Sequence, residues 1–146
     1  MNDGIKVTGV LQLQLLDGDI VVYEHWGENM IVTTGWQFIA DAMFNVTRPD
    51  AMRYIEVGSD GTAESAADTA LVVPVLRKLG VYIFFSDTKT ARLRVTYEPG
   101  EATGLLAEAG VFDAASGGTM LNRKNFPVVN KAATQTLVAT WHFFFS

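Results

Sequence analysis

At 146 residues the chain has the length of one domain, and the absence of cysteine excludes disulfides, zinc–thiolate sites and thiol nucleophiles. A net charge of −5 with scattered Lys and Arg argues against nucleic acid as a direct partner, because phosphate contacts need clustered cations. Charged residues make up 18% against the usual ~25%, while apolar residues reach 49%, a balance that favours covering some apolar surface with a partner.

From the N-terminus, Leu11, Leu13 and Leu15 alternate with Gln12 and Gln14, the pattern of a half-buried strand. Asp17-Gly18-Asp19 supplies a tight turn into a return strand from Ile20 to Tyr23. Asn29 to Val32 reads as a short extended piece. Trp36, Ile39, Ala40 and Met43 then fall at helical spacing. They predict one short helix near residues 35–44, capped by Thr33 or Thr34 and plugging one end of a β-structure. Its apolar stripe, Trp36 included, reads as core packing.

A strand at Tyr54 to Val57 runs into a long loop rich in Gly, Ser, Asp and Ala. Val81 to Phe85 and Ala91 to Tyr97 look like paired strands joined by a turn at Ser86 to Lys89. Leu105 to Phe112 and Thr119 to Phe126 form a further pair. The last strand, Leu137 to Phe145, is apolar on both faces, which predicts a central or covered position. The sum is a mainly β fold: an antiparallel β-sandwich or jelly roll of about eight strands, one domain over 1–146, with an extended arm at 1–6. No apolar run approaches the ~20 residues that cross a bilayer. The N-terminus lacks the basic segment and apolar run of a secretory signal. No membrane partner is expected.

Catalytic chemistry finds little to stand on. His25 and His142 are not in ligand spacing and form no triad with a nucleophile. Asp60, Glu64 and Asp68 recur every four residues, but they do not match a calcium loop and read as solvated charges. Glu98, Glu101 and Glu108 come with no further sign of glycoside chemistry. Gly58-Ser59-Asp60-Gly61 is too short for a nucleotide fingerprint, and the sequon at Asn45 reads as chance. Neither an enzyme activity nor a cofactor or metal is expected. Trp141 and Phe143 read as core. Trp26, in the turn Trp26-Gly27-Glu28, is the candidate exposed anchor.

Three segments occur in order: Asn29 to Gly35 before the helix; Tyr54-Ile55-Glu56-Val57-Gly58-Ser59-Asp60-Gly61-Thr62, closing with Asp68-Thr69-Ala70-Leu71 and Arg77; then Glu108 to Asp113 with Gly118 to Arg123, ahead of Thr140-Trp141. Together they resemble small structural proteins of tailed bacteriophages, over residues 29 to 141. Ser59-Asp60-Gly61 departs from the Gly-Thr-Gly more common in that group. The resemblance implies a non-catalytic virion component. Its first form is a capsid decoration (cement) protein that binds the major capsid protein as a dimer or trimer. The alternative is a tail, baseplate or fibre part, possibly one that binds a host glycan. Loops and termini reach outward. Partner contacts are therefore expected at Met1 and Ile5 in the arm, at Trp26, and at Ser59, Asp60, Thr62 and Asp68 in the loop.

Overall fold

The computed structural model describes residues 4–85 and 88–146. Met1, and Ser86 and Asp87 of the expected turn, lie outside them. Ten strands and one helix follow in chain order: β1 (Val7–Asp17), β2 (Ile20–Glu28), β3 (Met30–Ile31), α1 (Thr33–Phe44), β4 (Tyr54–Gly58), β5 (Pro74–Leu79), β6 (Val81–Phe85), β7 (Thr90–Tyr97), β8 (Gly104–Phe112), β9 (Met120–Lys131) and β10 (Thr136–Phe145). They form two antiparallel five-stranded sheets, ordered β2-β1-β10-β7-β6 and β3-β9-β8-β4-β5. The expected β-sandwich is the fold observed.

Binary patterning sets the core. Leu11, Leu13 and Leu15 of β1 point inward and are buried, while its glutamines face out. Leu93, Val95, Leu137, Ala139 and Trp141 complete the inner face of the first sheet. Ile55, Val57, Ala109, Val111 and Leu121 meet them from the second. Two hydrogen bonds, one buried and one partly buried, fix the layers. Tyr97 Oη donates to Ile55 O at 2.8 Å, and Trp141 Nε1 donates to Asn29 Oδ1 at 2.6 Å. Burial pushes the Tyr97 hydroxyl well above its ordinary pKa. β10 lies between β1 and β7, the central place its two apolar faces predict. At its far end Lys6 and Ser146 exchange backbone hydrogen bonds of 2.7 and 3.0 Å, so the first and last strands close side by side.

Several details differ from expectation. β5 was hidden by Pro74, which is tolerated because it opens an edge strand. With the two-residue β3 it raises the strand count from about eight to ten. Val32, not a threonine, occupies the helix N-cap, without a side-chain cap bond. Thr34 instead donates from Oγ1 to Met120 O at 3.0 Å. Trp36 is 44% exposed rather than core. The reason is Gly35, which leads the face that meets β9; a Cβ there would strike the Leu121 carbonyl. Trp36 sits about 100° further round the helix.

Candidate functional site

The long loop between β4 and β5 does not project. It folds back over the outer face of the second sheet, and Glu108 of β8 holds it there. This carboxylate is fully buried and accepts from the backbone N–H groups of Asp60 (3.1 Å), Val72 (2.9 Å) and Val73 (2.8 Å). Its countercharge is Arg123 of β9, also fully buried, whose Nε donates to Glu108 Oε1 at 3.1 Å. Arg123 reaches Asp68 as well, at 3.4 Å. Glu64 accepts from the Asn125 N–H at 3.1 Å and pairs with Lys124 at 3.5 Å. Beneath the loop, Leu71 closes a small second core with Val32, Phe112 and Met120. Gly58 permits the close approach: a Cβ there would lie 2.5 Å from Val73 O and 2.6 Å from Glu108 Oε2.

The spaced motif thus acquires a common role. Asn29 meets Trp141, Gly35 meets Leu121, Gly58 meets Glu108, and Asp68 meets Arg123. Arg77 stacks 3.7 Å over the Phe112 ring, pairs with Glu56, and donates to the carbonyls of Ala114 (2.9 Å) and Gly117 (2.8 Å). These residues hold loops onto a sheet. The carboxylates of Asp60, Glu64 and Asp68 go to separate partners rather than one point. The hydrogen bond from Thr62 keeps the Asp60 carboxyl below its usual range.

The anticipated contact residues therefore separate. Ser59 and Thr62 are exposed, whereas Asp60 and Asp68 turn toward the protein's own backbone. Ile5 is exposed beside helix α1. Trp26 is 51% exposed on the outer face of the first sheet, with its ring stacked on His142 at 5.2 Å. Gln12 donates to Glu24 (2.9 Å), as does Trp26 Nε1 (3.0 Å). That orientation turns Gln12 Oε1 toward His142 Nε2, 3.0 Å away, and places the proton of neutral His142 on Nε2. Burial, with Arg92 and Arg94 behind it, holds the His142 pKa below its ordinary value.

The feature not anticipated is a flank. β5 ends one sheet, β6 ends the other, and only Gly80 separates them. Val73, Val75, Leu79, Val81, Tyr82, Ile83 and Phe84 are all exposed along it, Val81 at 67% and Phe84 at 59%. Free edges are normally guarded by charge, proline or a bulge. β6 holds no charged residue. The cations of β5 are used internally: Arg77 as above, and Lys78 on Glu101 Oε1 (2.7 Å) and Thr96 O (2.8 Å). The signal was present in the sequence as Val-Tyr-Ile-Phe-Phe, apolar at every position, but its edge position was not.

No family model matches this chain, and comparison with curated proteins and with solved structures likewise finds no match.

Proposed function

We propose that this chain is a non-enzymatic structural subunit of a tailed-phage virion: a capsid decoration (cement) protein that clamps neighbouring major capsid subunits. The observation that carries the reading is the exposed apolar flank of β5 and β6, above all the free strand β6, which holds neither charge nor proline. An apolar strand edge in water is an association site. It offers main-chain groups for β-addition and apolar side chains for burial. The three-segment resemblance supports this location and partner, and a dimer or trimer would multiply the contacts. The buried ion cluster supports the same reading, since its charges are spent on holding loops rather than converging on an open cleft.

The test is add-back to shells lacking this chain. Wild type is expected to bind and to raise the temperature at which shells rupture. Ile83→Lys, which places a cation on the free edge, is expected to bind at least tenfold more weakly. Its own unfolding free energy should stay within about 0.5 kcal/mol of wild type, as befits an exposed site. Unchanged shell binding by this variant would discard the flank.

A second reading, a tail, baseplate or fibre part that binds a glycan, is favoured by one observation. Trp26 presents a half-open ring beside the hydrogen-bonded Gln12 and Glu24. On that reading wild type is retained on host glycan without binding shells, and Trp26→Ala abolishes the retention.

A further inference from the structure

A groove of about 820 Å³ opens between helix α1, the segment that follows it, and the ends of β1 and β10. That size falls within the range of small-molecule sites. Its construction is fixed by the fold. Gly35 pins the first turn of α1 against β9, while Met43 and Phe44 at the other end remain exposed. Ile39 and Met52, half-buried, and Leu121 and Phe143, buried, line the gap between. The lining is almost wholly apolar, and its charged members are two arginines, Arg48 and Arg53.

Both arginines are exposed, and among the described residues neither has a carboxylate within ion-pair reach. Arg53 is well anchored: its N–H donates to Phe112 O at 3.2 Å, and its carbonyl accepts from the Gly80 N–H at 2.7 Å. An acidic chain has thus placed on an apolar trough two guanidinium groups that meet no carboxylate among the described residues. Guanidinium binds carboxylate as a planar fork, and the trough favours hydrocarbon over water. We propose that this groove binds a long-chain carboxylate, with the acyl chain along Ile39, Met52, Leu121 and Phe143 and the head group on Arg48 and Arg53. The proposal goes beyond the structural role above and does not rest on it.

The experiment uses the full-length protein, stripped of lipid, and a fluorescent fatty acid displaced by oleate or by methyl oleate below their aggregation concentrations. Wild type is expected to bind oleate at least tenfold more tightly than its uncharged ester. The double variant Arg48→Gln/Arg53→Gln, changed only at exposed positions, is expected to lose that preference and keep ester binding. Ile39→Trp, checked for an unchanged circular dichroism spectrum, is expected to exclude both ligands; should it not fold, the arginine pair decides. Absence of displacement in wild type, equal affinity for acid and ester, or an arginine variant that keeps the preference would each overturn the proposal. So would native mass spectra showing the groove closed by a second copy, with Ile39→Trp abolishing the dimer and leaving oleate binding unaltered.

Discussion

Glu108 is the residue on which most of the loop architecture converges. Three backbone amides and one guanidinium share its two oxygens, in a place without solvent. Glu108→Gln keeps the shape but takes the buried carboxylate away from Arg123, leaving only the longer, partly exposed contact with Asp68 at 3.4 Å. The expected loss is about 3–5 kcal/mol, measured by chemical denaturation, with protease cutting between residues 59 and 73 well before global unfolding. His142 behaves differently. Its folded pKa lies below the 6.5 of the unfolded state, so the unfolded chain takes the proton first. Its contribution is therefore complete above pH 6.5 and is lost as pH falls toward the folded value. Denaturation at pH 7.5 and 5.5 should show wild type weakening on acidification, and His142→Gln should remove that part of the slope. Neither role was legible in the sequence. Glu108 stood in an expected strand with no visible partner, because the strand that carries its countercharge lies fifteen residues on and across a loop.

At the scale of elements, periodicity read well wherever one face met the core and the other met water. The alternating leucines of β1 and the two-faced apolarity of β10 both led to their observed positions. It failed where a third layer intervened. β8 is buried on both faces because the β4–β5 loop covers its outside, and nothing in its own pattern announces that cover. The helix shows the same limit. Its range was readable from spacing, but its orientation was set by a glycine, so Trp36 was misplaced. Gly35→Ala tests this. Helix propensity would gain about 1 kcal/mol. The collision with the Leu121 backbone, which has no flexible end to give way, should cost about 1–3 kcal/mol. A net loss of stability is expected; a gain would mean that the helix can lift freely from β9.

For the whole molecule, the decisive fact is that β1 pairs with β10 along nearly its full length. Sandwiches built on such distant pairings fold in milliseconds to seconds, because large loops must close before any contact rewards them. Removing residues 136–146 takes out the central strand of the first sheet and exposes both Leu13 and Leu93. Such a truncated chain should show no cooperative thermal transition and should aggregate, as followed by calorimetry and light scattering. The architecture was therefore readable in outline, and the edge position of the exposed apolar flank was not. An apolar strand looks alike in the middle of a sheet and at its rim, and only topology tells the two apart.

The pairing of Lys6 with Ser146 also bears on engineering. Antiparallel partners lie about 5 Å apart, so a peptide linker of a few residues can join Lys6 directly to Ser146 and close a ring. The ring can then be reopened at the Gly117-Gly118 turn, where both residues take positive φ and a Cβ at Gly117 would meet nothing. Such a circular permutant would keep every strand neighbour intact while moving the cut to the turn between β8 and β9.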